Sequence, residues 1–154
     1  MPCIDASIRR GALAAVLALV ACSTASPPPP AMSPRSSSAV LGAPGTVRSM
    51  SELRLLAARR IVAANPNGTY TGRVPDMLLA IPVLEIELHG DGSIRRSDVL
   101  RRPGQAPETL QIAIDAVRRA APFGDVSRLP KPWKFAETFL FNDERKFKPR
   151  TLDE

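Results

Sequence analysis

The chain has 154 residues, 44% hydrophobic and 23% charged, with a formal net charge of +6. One histidine and two cysteines exclude a Cys/His zinc cluster, and any histidine-based triad would have to be built on His89 alone. The basic side chains are scattered as the pairs Arg59-Arg60, Arg95-Arg96, Arg101-Arg102 and Arg118-Arg119, the pattern of a solvated surface rather than one dense polyanion-binding patch.

The N-terminus carries Arg9-Arg10, then an apolar run from Gly11 to Ala21. A charged region, a short apolar region and small residues at the cut site make a secretory signal. The run is about half of the roughly 20 apolar residues a membrane-spanning helix needs. It ends in Leu19-Val20-Ala21-Cys22, which resembles the bacterial lipobox. That resemblance implies cleavage after Ala21, diacylation of the Cys22 thiol and acylation, palmitate included, of the new amine. Ser7-Ile8 and Gly11-Ala12 fit a twin-arginine signal poorly, so the general secretion route is expected. Residues 1–21 are therefore read as a lipoprotein signal peptide. Cys22 is left as the only cysteine of the mature chain, with no thiol for a disulfide once it is lipidated. Export also argues against a nucleic-acid partner.

Residues 22–48 are mostly Ser, Ala, Pro and Gly with few large apolar side chains, and Pro27 to Pro30 favour polyproline II. Such a segment cannot bury enough surface to offset its ordering entropy. It reads as a tether between the lipidated Cys22 and a single small domain over residues 49–154.

In that domain Ser51 is a candidate helix cap. Leu53, Leu56, Ala57, Ile61 and Ala64 follow at helical spacing, and Asn65-Pro66-Asn67-Gly68 ends the element. Residues 70–75 read as a loop, and 76–81 suit either a helical turn or extended chain. Val83 to His89 alternates as a strand, with Leu84, Ile86 and Leu88 on the apolar face. Gly90-Asp91-Gly92 supplies a tight hairpin. The return strand, Ser93 to Arg101, holds Ile94 and Val99 five positions apart, so a bulge is expected near Arg96 to Asp98. Pro107 and Glu108 suit the start of a second helix with Leu110, Ala113, Ile114, Val117 and Ala121 as its stripe, closed by Pro122. Leu129-Pro130-Lys131-Pro132 connects to a third strand, Phe135 to Asn142. There Phe135, Glu137, Phe139 and Phe141 share one face, and Ala136 and Leu140 the other. Beyond Asp143 the chain is a charged tail with Phe147 as an anchor. The expected fold class is α+β: two layers, a three-stranded antiparallel sheet packed with two helices, in the order α-β-β-α-β.

This ordered set resembles the C-terminal domain of the TonB/TolA family. The resemblance rests on the first strand, the Asp91-Gly92 hairpin, and the helix ending Ala116-Val117-Arg118-Arg119-Ala120-Ala121-Pro122-Phe123. Pro130-Lys131-Pro132 and Phe147-Lys148-Pro149 add to it. It implies a non-catalytic, periplasmic protein-binding domain, and several members of that family bind partners by adding a strand to a sheet edge. The implied partners are a Tol–Pal component or a TonB-dependent receptor. This chain departs from the family in having a lipid in place of the N-terminal membrane helix, and it lacks the long spacer, which argues against energy transduction. Ser23 after the acylated cysteine resembles the outer-membrane sorting pattern of enteric-type lipoproteins, placing the domain on the periplasmic face of that membrane.

The third strand is the expected edge, with Ala136, Glu137, Thr138, Phe139, Leu140 and Phe141 as partner-binding residues and Glu137 and Thr138 as gatekeepers against stray pairing. Trp133 and Phe147 flank it as core or as partner contacts. Glu85, Glu87 and His89 project together from the first strand, and a solvated face accounts for them better than acid–base catalysis does. No cofactor or metal is expected. The alternative reading is a structural lipoprotein whose basic surface meets cell-wall polymer or anionic lipid.

Overall fold

The computed structural model describes residue 42 and residues 44–153. The expected signal peptide, the lipidation site Cys22 and the tether up to residue 41 lie outside the described residues.

Helix α1 spans Met50–Ala64. Its cap is Ser49 rather than Ser51. Ser49 Oγ accepts from the Glu52 backbone N–H at 3.1 Å, and Glu52 Oε2 accepts from the Arg48 N–H at 2.8 Å. The spacing from Ser49 to Glu52 is that of a capping box, with the glutamate reaching back one residue further, to the N–H of Arg48 instead of that of the cap itself. Leu53, Ala57 and Ile61 are fully buried as their spacing demands, and Leu56 and Ala64 pack at the rim.

Strand β1 is Val83–Leu88, β2 is Ile94–Arg101, helix α2 is Glu108–Ala120, β3 is Lys134–Phe141 and β4 is Phe147–Pro149; a 3-10 turn, Arg150–Leu152, follows. The sheet has four strands in the order β2-β1-β3-β4, with each neighbouring pair antiparallel. The expected three-stranded sheet is thus corrected to four, and the α+β class holds. The fourth strand forms because Asn142 builds a turn. Its Oδ1 accepts from the N–H groups of Glu144 (3.1 Å) and Lys146 (2.9 Å), the local bonding that makes asparagine a turn residue. Phe147 then pairs with Phe141 and is completely buried.

Two register irregularities replace the single expected bulge. They lie at Glu87/Leu88 and Val83/Leu84, where Arg95 and Leu100 of β2 are the extra residues. Ile94 pairs with Leu88 and Val99 with Leu84; the extra residue Arg95 lies between them, so both reach the core face despite their odd spacing, while the irregularity at Leu100 falls beyond Val99.

Both helices contribute small side chains to the core, Ala57 and Ala58 from α1 and Ala113, Ala116 and Ala120 from α2. Helices α1 and α2 pack together. Asn65, expected only as a helix breaker, is buried and clasps the pair. Its Nδ2 donates to the carbonyls of Ile61 (2.7 Å) and Ala116 (3.1 Å), and its Oδ1 accepts from Arg119 Nε at 2.7 Å. Arg60 is buried too. It donates through Nε to the Ala120 carbonyl at 3.2 Å and through Nη1 to the Gly42 carbonyl at 2.9 Å, meeting an otherwise orphaned acceptor at the end of α2. Thr46 bridges to Asp125, and Val47 enters the core, so the ordered domain begins a few residues before 49.

The hairpin between β1 and β2 is fixed by the loop after α2. Phe123 N–H donates to the Gly92 carbonyl at 2.8 Å and Val126 N–H to the Gly90 carbonyl at 2.9 Å. Gly92 has φ +80, and a Cβ there would sit 2.1 Å from the Gly124 carbonyl oxygen. Only glycine meets both the positive φ and the close approach.

Candidate partner-binding groove

Alternation along β3 decides which backbone groups are spoken for. The Phe139 and Phe141 N–H groups donate toward the β1 side, to the Pro82 and Ala80 carbonyls, both at 3.0 Å. The Trp133 carbonyl accepts from Leu88 N–H at 2.8 Å. Odd-numbered residues therefore face β1 with their backbone, and even-numbered ones face the other way. On that other side β4 pairs only with Phe139, Leu140 and Phe141.

The expected edge strand is thus interior to the sheet, because the returning tail covers its C-terminal half. Phe139, Leu140 and Phe141 are paired and buried, and their role is core and ladder. Over Lys134 to Thr138, no strand among the described residues pairs the far side. A groove of about 420 Å³ lies here. Ala136, Glu137 and Thr138 form its floor, Ser51, Arg54 and Leu55 of α1 one wall, and Arg150 and Thr151 the other. Leu55 is one of few large apolar side chains in the domain that face solvent.

Glu137 is the unusual group of this site. It faces the core side with Phe135 and Phe139 and is only 2% exposed. Its Oε1 accepts from the N–H of Thr138 at 3.1 Å and of Thr151 at 3.3 Å. Its Oε2 is buried with no hydrogen-bond partner. Burial pushes the carboxyl above its ordinary value, and the hydrogen bonds from Thr151 and Thr138 oppose that rise without cancelling it. An inward-pointing acid at a half-open edge is one of the known guards against indiscriminate strand pairing.

The other sheet edges are better defended. Phe147 in β4 is bonded on its outer side, donating to the Gly68 carbonyl at 2.9 Å and accepting from Tyr70 N–H at 3.2 Å. Pro149 has no N–H to offer. Strand β2 carries Arg95, Arg96, Asp98 and Arg101 and both register irregularities, each of which discourages a new strand.

Glu85 and Glu87 are engaged in cross-strand ion pairs on the open face of the sheet, with Lys134 at 3.1 Å and Arg95 at 3.0 Å, while His89 is exposed beyond them. Asp91 accepts from the Ser93 N–H at 2.9 Å and hydroxyl at 2.6 Å, bonds that hold its carboxyl below the usual range and serve the turn. Trp133 is half-buried, donates through Nε1 to the Leu129 carbonyl at 2.8 Å, and has Lys131 Nζ 4.7 Å above its ring. Phe147 belongs to the core, 5.2 Å from Phe139 in an edge-to-face contact. Among the described residues, no group of three or more His, Cys, Asp and Glu side chains could hold a metal ion, and no helix is long and apolar enough to cross a membrane.

Arg54, Leu55, Arg150 and Thr151 line the groove without having stood out in the sequence. Their involvement follows from the fourth strand, which brings the end of the chain back beside α1.

No protein-family model matches the chain, and the searches of characterised proteins and of solved structures gave no match either. The fold defines the class: a two-layer α+β domain with an antiparallel sheet.

Proposed function

We propose that this chain is a lipid-anchored, non-catalytic adaptor of the bacterial envelope. In this reading Cys22 carries the acyl chains, residues up to about 43 act as the tether, and the domain works at the periplasmic face of the outer membrane in the manner of a TonB/TolA C-terminal domain. An extended segment of a partner, such as a Tol–Pal component or a TonB-dependent receptor, adds as a strand along Lys134 to Thr138. The observation that carries this reading is the unpaired half of β3 beside the groove.

The alternative, a basic surface meeting cell-wall polymer or anionic lipid, is favoured less because the arginine pairs are largely occupied. Arg95, Arg96 and Arg118 form ion pairs with Glu87, Asp98 and Asp115. Arg60 and Arg119 are spent on the helix junction.

Photo-crosslinking in cells tests the proposal. Probes at Ala136 and Thr138 are expected to capture one discrete protein that a probe at Arg96 on β2 does not. Equal capture from all three positions, or none from β3 in a folded, lipidated protein, refutes strand addition. Loss of capture at high salt from every position would favour the basic surface instead.

A further inference from the structure

We propose that residues 150–153 form an intrachain strap over the unpaired half of β3, pinned by Glu137 and by the Lys148–Asp153 ion pair, and that the strap and an added strand compete for this place. The proposal rests on the strand-addition reading and adds a means of controlling it.

The boundary between structure and strap falls at Pro149. Up to that residue the tail is held as a strand is held, by pairing with Phe139, Leu140 and Phe141 and by burial of Phe147 and Pro149. After it the attachment changes in kind. The turn Arg150–Leu152 buries none of its residues, although it packs against both α1 and β3. It is fastened to Glu137 by a few polar contacts, the Thr151 N–H to Oε1 at 3.3 Å with the Thr151 side chain and the Arg150 backbone beside it, and by the ion pair between Lys148 Nζ and Asp153 Oδ1. A segment held by a few polar contacts at the margin of the core opens more readily than one held by apolar burial.

The same Glu137 oxygen receives the Thr138 N–H. By alternation this is a donor that an added strand would need. The carboxylate therefore satisfies the free edge and the strap together, and neither can be vacated without disturbing the other. Glu137 Oε2, buried without a partner, leaves the closed arrangement incompletely satisfied, so closing the groove is not the deepest state its polar groups can reach. Arg54 from α1 and Arg150 from the turn are the charged groups that line the groove with Glu137.

Amide hydrogen exchange on the full chain, with the variants Asp153→Asn and Glu137→Gln, tests the strap. Asp153 is at the surface, so its replacement leaves the core alone. It is expected to speed exchange at Thr151 about tenfold, while Ile86 and Phe139 keep their protection. Glu137→Gln is expected to speed exchange at both Thr151 and Thr138. Protection of Thr151 at the level of Ile86 in both variants overturns the strap. Crosslinking from Ala136 in the same variants reads the competition: yield rising with Thr151 exchange supports it, and unchanged yield despite fast exchange overturns it. Absence of any adduct from the wild type and both variants counts against strand addition itself, and exchange at Thr151 still decides whether the strap exists.

Discussion

Replacing Phe147 with alanine removes the side chain that turns a charged tail into a fourth strand. The ring is completely buried, 5.2 Å from Phe139 and 5.5 Å from Phe141 between ring centroids. Truncating a buried phenylalanine to alanine costs about 3–5 kcal/mol, and each aromatic pair adds about 0.5–1.5 kcal/mol beyond its area. A domain of this size has only about 5–15 kcal/mol of stability in total, so the variant should be marginal. Urea unfolding followed by the fluorescence of Trp133, the single tryptophan, measures the loss. The midpoint is expected to fall by the equivalent of at least about 3 kcal/mol, with the slope unchanged. A Phe147→Leu control should lose less than half of that, because most of the volume remains. A loss below about 1 kcal/mol for Phe147→Ala, the size expected of a surface change, would show that the tail is not part of the core.

Glu137 gives a pH-dependent prediction. Burial raises its carboxyl above the ordinary 4.5, so the folded chain holds this proton more tightly than the unfolded one does. Its contribution to stability is therefore gained as pH falls through the raised value toward the ordinary one and lost as pH rises. Urea midpoints at pH 5 and pH 7.5 should differ less for Glu137→Gln than for wild type, and an unchanged difference would refute this account. Gly92→Ala must place a Cβ 2.1 Å from the Gly124 carbonyl at φ +80 and should cost at least about 3 kcal/mol by the same unfolding assay. Arg60→Ala strips the Ala120 and Gly42 carbonyls of their donor; a loss of about 1–3 kcal/mol is expected, together with faster proteolysis near residue 42. On the lipoprotein proposal, Cys22→Ser leaves an unprocessed precursor without acyl chains, read as a mass increase and as failure to label with a palmitate analogue.

Much of the fold was legible because periodicity is a local property. The stripe of α1, the alternation of β1 and the Asp91-Gly92 hairpin each fall within a few residues of where the sequence puts them. The fourth strand was not legible, because Phe147-Lys148-Pro149 is too short to show alternation and ends in a residue that weakens a strand assignment. That single omission displaced β3 from the edge to the interior. It also changed Phe139, Leu140 and Phe141 from candidate contacts into core. Glu137 was placed on the face of Phe135 and Phe139 by its parity, but its burial depends on the returning tail, which no local pattern reveals. Arg60 and Asn65 were hidden for the same reason. A buried arginine and a buried asparagine look like surface residues until the carbonyls they serve, on α2 and near Gly42, are brought alongside. A bulge was foreseen from the spacing of Ile94 and Val99, and Arg95 supplies it; the second irregularity, at Leu100, lies outside that interval, where their parity carries no signal.

The way the chain enters the domain has a mechanical consequence. Thr46 lies parallel to Asp125, Val47 N–H donates to the Asp125 carbonyl at 3.0 Å, and the Val47 side chain is sealed in the core. Any pull arriving from the N-terminal side is met at this knot before it can reach the first turn of α1. The load passes sideways into the loop that follows α2, which is itself clamped to the β1–β2 hairpin through Gly90 and Gly92. Tension is thereby delivered to the sheet, and α1 is spared from unwinding from its free end.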